Sequence, residues 1–376
     1  MKILHTISNL GISAGGPSSC TYNLLKGLQS TGIGVDILTI NIKQDQIIGL
    51  DSFVKAVEDD SKTFFMYSRN FKKSLSLSEK YDLYHANGLW TYPTHATAHH
   101  ALRHKKPYVI APHGMLYSNA LQISGWKKKI ALTLFQQKDL ERAICLQATS
   151  HAEVEHIRNF GLTNPIALIP NCLKMDDEII VRERENKLKR FGFVGRLNRI
   201  KKIDVLLQAW LKLGKLTSQS ELMIVGSDDF NYERELQQYV IDNKMNNVFF
   251  QGFLNGEILK KAILSLDYLV LPSQSENFGM VVLEALTYSV PVIASKGTPW
   301  EELDTHNCGW WVDNDIDTIA ETIRKAIETP ERTRLEMGKR GQKLVKNNYS
   351  VEIVTKKMTR LYDWILNGGE SPTFIM

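Results

Sequence analysis

Short runs rich in β-branched and aliphatic residues alternate with helix-patterned segments along the chain, and the alternation begins afresh near the middle. The first series is MKILHTIS, VDILTI, YDLYHANG, PYVIAPHG, ICLQATS and PIALIPN. Strands that alternate with crossover helices build parallel sheets with helices on both faces. After the charged stretch KMDDEIIVREREN the pattern restarts as RFGFVGRL, ELMIVGS, VFFQGF, DYLVLPS and PVIAS. The expected architecture is therefore α/β, with two Rossmann-like doubly wound domains facing across a cleft. An N-terminal domain is expected over 1–172, a linker over 173–189 and a second domain over 190–350. A last helical segment, at about 351–376, has its helical period end at Gly368-Gly369. A length of 376 residues suits two average cores better than one.

Composition narrows the partners. Hydrophobic residues make up 43% and charged residues 23%, which suits a globular protein and excludes disordered, collagenous and coiled-coil chains. A net charge of +5 is too slight an excess to imply nucleic acid. Cys20, Cys145, Cys172 and Cys308 form no CxxC pair, so neither a zinc site nor a secreted disulfide framework is expected, and a reducing cytosol fits. His5, Ser8 and Asn9 interrupt any hydrophobic leader, so the N-terminus reads as a first strand. No apolar run reaches spanning length, which leaves peripheral membrane contact as the only kind expected.

Ligands of doubly wound sheets bind beyond the C-terminal ends of strands, so strand-to-helix junctions carry the chemistry. In LPSQSENFGMVVLEALTYSVPVIAS a strand runs through a loop into a helix beginning near Gly279-Met280-Val281. Glu276 precedes that helix and Glu284 lies in its second turn. The unpaired amides of a first turn and the helix dipole favour a phosphate there. Carboxylates on either side can accept hydroxyl hydrogen bonds, each worth about 1.5–3 kcal/mol. A second junction, FGFVGRLNRIKKIDVLLQAW, brings Arg196 and Lys201 to the start of another helix, where cations oppose the dipole and point to an anion nearby. Gly15 and Gly16 open the first βα loop, a weak signal alone. His113 ends PYVIAPHG and His85 ends YDLYHANGLW, positions from which an imidazole can donate to a sugar hydroxyl or stabilise charge.

Glu276 and Glu284 with Asn277-Phe278-Gly279 between them resemble the E-x7-E motif of retaining glycosyltransferases of the GT-B fold, in the family called glycosyltransferases group 1, or GT4. The resemblance covers nearly the whole chain. It implies that Glu276 contacts hydroxyls of the transferred sugar, that the amides of Asn277, Phe278, Gly279 and Met280 hold sugar and phosphate, and that Glu284 binds the ribose. Arg196 and Lys201 match the family's GR-x4-KG motif, whose cations neutralise the donor diphosphate. Lys202 stands where the family has Gly, so it can share Lys201's role. Gly15 and Gly16 are similar to the family's glycine loop beside the donor phosphate, and His113 matches an HG dipeptide by the transferred sugar. His85 is the acceptor-side candidate. The C-terminal helix is expected to cross back onto the first domain.

Other signals have plainer readings. His95, His99, His100 and His104 have metal spacing on a helix but do not converge on one ion, so a surface helix is expected. Asp313-Asn314-Asp315 forms a DxD triplet, yet Asp313 or Asp315 is better placed as a helix cap. Trp310-Trp311 reads as strand and core. The helix carrying Trp126 to Lys129, with Ile130, Leu132, Leu134 and Phe135, fits either a core-packed helix with a solvated basic face or an interfacial one touching anionic lipid or a lipid-diphosphate acceptor.

The expected protein is a retaining hexosyltransferase with no metal and no cofactor beyond its nucleoside-diphosphate sugar donor. Its acceptor is a glycan or lipid-linked glycan, and it works in the cytoplasm or on the inner face of the membrane. SKGTPWEELDTHNCGWWV resembles branches of the family that build bacterial surface polysaccharides. The rivals are an epimerase or hydrolase of the same fold and a non-catalytic nucleotide-sugar-binding subunit, which would typically have lost Glu276, Arg196 or Lys201.

Overall fold

The computed structural model describes every residue except 44, 50, 64, 79, 123, 124, 176–187, 229 and 230. Most of the expected linker falls outside the described residues. The chain divides into two compact units, Met1–Lys174 with Ser350–Met376 (unit 1) and Met175–Tyr349 (unit 2).

Unit 1 holds seven parallel strands: β1 (Lys2–Asn9), β2 (Gly34–Asn41), β3 (Val54–Glu58), β4 (Leu83–Asn87), β5 (Tyr108–Ala111), β6 (Cys145–Ala148) and β7 (Ile166–Leu168). Their order is β3-β2-β1-β4-β5-β6-β7. The sheet is covered on both faces, which is why its central strands read as nearly unbroken apolar runs. Side chains alternate between two cores. Leu4, Tyr84, Ala86, Ile110 and Leu146 face the helices Arg69–Ser76 and Tyr92–Arg103. Ile3, Ile7, Leu83, Val109 and Cys145 face the helices Gly16–Ser30 and Val351–Asn367. The last helix ends at Gly368, whose φ of +75° suits glycine. β3 has no counterpart among the expected strands. It is a half-exposed edge strand, VKAVE, without the apolar density that marks the others.

Unit 2 holds six parallel strands: β8 (Lys189–Val194), β9 (Ser220–Val225), β10 (Val248–Phe250), β11 (Tyr268–Leu271), β12 (Val292–Ser295) and β13 (Gly309–Val312), in the order β10-β9-β8-β11-β12-β13. Lys189 opens β8 rather than closing a linker. Its ammonium donates to the carbonyls of Ala326 and Thr329 at the C-terminus of the helix Ile316–Glu328, an end where cations are favoured. Trp310 and Trp311 do lie in a strand, but β13 is the sheet edge and both are only half-buried, so they are not core.

The helix Tyr92–Arg103 is not a surface helix. Pro93, Thr94, Ala96, Thr97, Ala98, His100 and Ala101 are buried, and His95 pairs with an acidic partner, Asp139 Oδ2, at 2.8 Å. Among the described residues no group of three or more His, Cys, Asp or Glu is disposed to hold a metal ion. Asp315 caps the helix Ile316–Glu328 by accepting from the Thr318 amide at 2.9 Å, and Asp313 pairs with Lys296 at 3.0 Å. All four cysteines are buried free thiols. No described helix is long and apolar enough to cross a membrane.

Candidate functional site

A polar arrangement in unit 2 forms where β8, β11 and β12 end side by side. After Val194 the chain passes through Gly195 and Arg196 into a short 3₁₀ turn, Arg199–Lys201, and the helix Ile203–Leu213 begins one residue later than Lys202. Lys202 itself is left-handed, at φ 53° and ψ 39°. That is the conformation glycine adopts freely, and Lys202 holds it despite its Cβ. After Leu271 the loop Pro272–Gly279 leads into the helix Met280–Thr287, with Gly279 left-handed at the N-cap.

Three backbone contacts fix these loops to one another. The Gln274 amide donates to Ile200 O at 2.7 Å, and the Glu276 amide to Gly297 O at 2.8 Å. A Cβ on Gly297 would lie 2.3 Å from Ser273 O, so the β12 loop reaches Glu276 only because residue 297 has no side chain. The third contact is an indole: Trp300 Nε1 donates to Phe278 O at 2.5 Å. Phe278, Trp300 and Tyr349 pack as an aromatic trio with centroids 5.2–5.8 Å apart.

Lys201 and Glu276, 75 residues apart, form an ion pair, and Ser273 Oγ donates to the same carboxylate oxygen at 2.8 Å. The side chains are 18% and 12% exposed, so the pair is partly desolvated and stronger than a surface pair. Arg196 is exposed and, among the described residues, meets no carboxylate. Asn277 and Met280 are half-buried, whereas the Phe278 side chain is buried and can offer a ligand only its backbone. Glu284 is half-buried and its carboxylate has no hydrogen-bond or ion-pair partner among the described residues. Burial pushes it up to about 7. A carboxylate left in that state is one whose charge a ligand's hydroxyls can solvate.

In unit 1, Gly15 has φ +76° and caps the helix Gly16–Ser30, with open space where a Cβ would stand. His113 follows β5 in a left-handed conformation, φ 52°. Its Nε2 meets Asn87 Oδ1 at 3.1 Å, and Nδ1 is buried without a partner among the described residues. Burial lowers its pKa to about 4, so the ring is neutral at pH 7. It does not act there as a charged donor. The Gly114 amide next to it donates to Glu153, a buried carboxylate that also accepts from the Thr149 amide and hydroxyl.

His85 is a correction. It does not end its strand: β4 continues to Asn87, and His85 sits within it, fully buried. Odd-numbered positions of β4 face the C-terminal helix, so the His85 ring stacks on His5 at 4.5 Å and its Nδ1 meets Tyr362 Oη at 2.8 Å. A ring held there cannot reach an acceptor. The basic cluster near Trp126 is also rearranged. Lys128 turns inward to the carbonyl of Ala120 and lies over the Trp90 ring, and the Lys127 side chain is outside the described residues. Lys129 is the exposed cation.

Sequence reasoning missed Ser273, Gly297, Trp300, Tyr349 and Glu153. Only Ser273, three residues before Glu276, carried a local signal. The others act across loops whose proximity the sheet order creates.

The sequence matches two family models, the glycosyl transferases group 1 over residues 175–344 and the glycosyl transferase 4-like domain over residues 15–172. A glycosyltransferase of Methanocaldococcus jannaschii is 28% identical, covering 93% of this chain and 94% of its own. The capsular polysaccharide biosynthesis glycosyltransferase CapM of Staphylococcus aureus is 28% identical over 48% of this chain and 47% of its own. Human alpha-1,3/1,6-mannosyltransferase ALG2 is 27% identical over 57% and 56%. Among solved structures, sucrose-phosphate synthase from Thermosynechococcus elongatus superposes with a TM-score of 0.80 at 20% identity, covering 98% of this chain and all of that one. Anabaena HepE in complex with UDP and glucose gives 0.76 at 18% identity, covering 96% and 99%. At these identities the structural likeness establishes the fold.

Proposed function

The chain belongs to the glycosyltransferases of group 1, with the GT-B fold, and from that premise we propose that it moves a hexose from a nucleoside-diphosphate sugar to a hydroxyl of a glycan or lipid-linked glycan, with retention and without a metal ion. The observation that carries this reading is the grouping at the ends of β8 and β11: a partly buried Glu284 with no partner among the described residues, and a Glu276 tethered to Lys201 in the loop that enters one helix N-terminus. Glu284 accepts from the ribose hydroxyls. Glu276, steered by Lys201 and Ser273, accepts from hydroxyls of the transferred sugar. Arg196, Lys201 and the amides of Gly279 and Met280 meet the diphosphate as it takes up charge on leaving, which is electrostatic preorganisation, the largest contribution in many enzymes. Lys202 lends further positive charge. The family resemblance further assigns Gly15 and Gly16 to the donor phosphate and His113 to the sugar.

The likeness to a capsular enzyme supports a place in bacterial surface polysaccharide assembly on the cytoplasmic side. Trp126, Ile130 and Leu134 support peripheral membrane contact. They recur every four residues and are 67%, 51% and 68% exposed, with Lys129 alongside, a spacing that aligns them on one helical face.

A panel of nucleotide sugars tests the reading, with donor binding read by thermal shift and turnover by acceptor-dependent release of nucleoside diphosphate in EDTA. We expect one sugar class to stabilise the protein and turnover to survive the chelator. Complete loss of turnover in EDTA rejects metal independence. Release that no acceptor accelerates turns the reading towards a hydrolase. Glu284→Ala should weaken donor binding by about tenfold or more with a smaller effect on kcat, and Glu276→Ala should lower kcat chiefly. Unchanged binding and rate in both would reject the assignments.

A further inference from the structure

His113 is the end of a buried chain of hydrogen bonds that starts on the C-terminal helix. Tyr362 Oη lies 2.8 Å from His5 Nε2 and 2.8 Å from His85 Nδ1. Asn87 Nδ2 lies 3.3 Å from His5 Nδ1, and Asn87 Oδ1 lies 3.1 Å from His113 Nε2. His5, His85, Asn87 and Tyr362 are all buried. In such surroundings each proton has to be assigned to one partner, because no solvent makes up a mismatch.

The assignment is determined by Asn87. Its Nδ2 also faces the carbonyls of Thr6 at 3.2 Å and His85 at 3.4 Å, which can only accept. That side of the amide is therefore the NH₂ group, and Oδ1 is the side turned to His113. An amide oxygen can only accept, so His113 Nε2 carries the proton and Nδ1 is bare. The same NH₂ group lies 3.3 Å from His5 Nδ1, and His5 Nε2 and His85 Nδ1 both meet the Tyr362 hydroxyl, which ties the orientation of the amide to the C-terminal helix. Burial keeps His5 neutral, with a pKa near 3, and lowers His85 well below its ordinary value, consistent with single protonation throughout. A small cavity bordered by Asn87, His113, Thr21, Gln147 and Asn171 adjoins the ring.

We propose that Asn87 is a positioning residue that locks His113 as the Nε2–H tautomer, so that its buried, partnerless Nδ1 presents a lone pair to a hydroxyl of the bound ligand, with His5 and Tyr362 holding Asn87 in that orientation. The proposal rests on the assignment of His113 to the sugar and sharpens it: His113 accepts a hydrogen bond rather than donating one. Register explains why these residues meet. His5 pairs with His85 and Ile7 with Asn87 across β1 and β4, all on the sheet face that packs against the helix Val351–Asn367.

Long-range ¹H–¹⁵N spectra of histidine-labelled full-length protein at pH 7 read the tautomer directly, with the His113 ring identified by its loss in His113→Gln. We expect a protonated Nε2 and a bare Nδ1 in the native protein, and a mixture of tautomers in Asn87→Leu, accompanied by a fall in kcat of roughly tenfold and less than threefold change in donor KM. Two substitutions at 113 test the same point with Asn87 left in place. Asparagine can offer its side-chain oxygen where Nδ1 stood, whereas glutamine reaches only the Nε2 position. His113→Asn should therefore keep at least five times the turnover of His113→Gln. A native His113 protonated at Nδ1, an unaltered tautomer in Asn87→Leu, or the reverse order of the two 113 variants overturns the proposal. Wild-type turnover in both 113 variants, together with the expected tautomers, would leave the lock in place and reject the sugar contact on which its function depends.

Discussion

At the scale of single residues, the spacing of Glu276 and Glu284 was readable, but their different physical states were not. Glu276 is held by Lys201 and Ser273, and the lysine comes from another strand end. Among the described residues Glu284 has no such partner, and burial raises its pKa from 4.5 to about 7. A carboxyl that binds its proton more tightly when folded contributes stability that is fully present below about pH 4.5 and lost as pH rises through about 7. Glu284→Gln removes that loss. Relative to the native protein, the variant should be no more stable at pH 4 and up to about 3 kcal/mol more stable at pH 8. Denaturant titrations at both pH values check this, and a gain of equal size at pH 4 would exclude ionisation as its source. Donor binding has the matching signature. If ribose hydroxyls solvate the ionised Glu284, donor affinity should rise by up to tenfold per pH unit between about 5 and 7 and level off above, with proton release seen by calorimetry in buffers of different ionisation enthalpy. His85 was misplaced for a related reason. Sequence marks a strand but not its last residue, and two positions decided whether that ring met solvent or the Tyr362 hydroxyl.

At the scale of elements, the strand-to-helix junctions were legible and their internal geometry was not. The stretch from Arg196 to Lys202 reads as a strand end followed by a helix start, but the structure inserts a 3₁₀ turn and a left-handed Lys202. A left-handed non-glycine residue costs roughly 1–2 kcal/mol, while glycine loses about 0.5–1 kcal/mol more backbone entropy on folding. Lys202→Gly should thus be neutral or stabilising by up to about 1 kcal/mol, and a loss of 1 kcal/mol or more in chemical denaturation would show that the lysine side chain itself holds the junction. Gly297 is the opposite case. Gly297→Ala places a methyl against Ser273 O and Gln274 O, so the β12 loop must withdraw from the Glu276 amide. We expect kcat to fall at least tenfold with little change in the melting of the core strands, because the displaced segment lies outside β11 and β12. Gly297 belongs to no motif, and only the side-by-side ends of β11 and β12 show why a side chain is excluded there.

At the scale of the whole molecule, the two-sheet organisation was visible in the restarted alternation, whereas strand order was not. The periodicity of a run does not say which neighbour it pairs with, and β1 and β8 turn out to lie inside their sheets. The C-terminal segment shows how far sequence position and packing can part. Val354, Met358, Leu361 and Tyr362 are at most 1% exposed, clustered with side chains of the strands β1 to β7 far earlier in the chain. The last residues then cover the β7 edge: Ile166 and Met376 exchange backbone hydrogen bonds at 2.8 and 3.0 Å, and the Leu168 amide donates to Phe374 O at 2.9 Å. Burying four such side chains contributes roughly 6–12 kcal/mol, comparable with the whole stability of a domain at about 5–15 kcal/mol. A chain ending at Tyr349 should therefore leave unit 1 unfolded or molten, with protease cuts and dye binding confined to residues 1–174, while unit 2 keeps a cooperative transition. Adding residues 350–376 as a separate peptide should restore protection in unit 1. Native-like protection of 1–174 without that segment would mean that the sheet and its other helices suffice, and that the C-terminal helix only orients Tyr362.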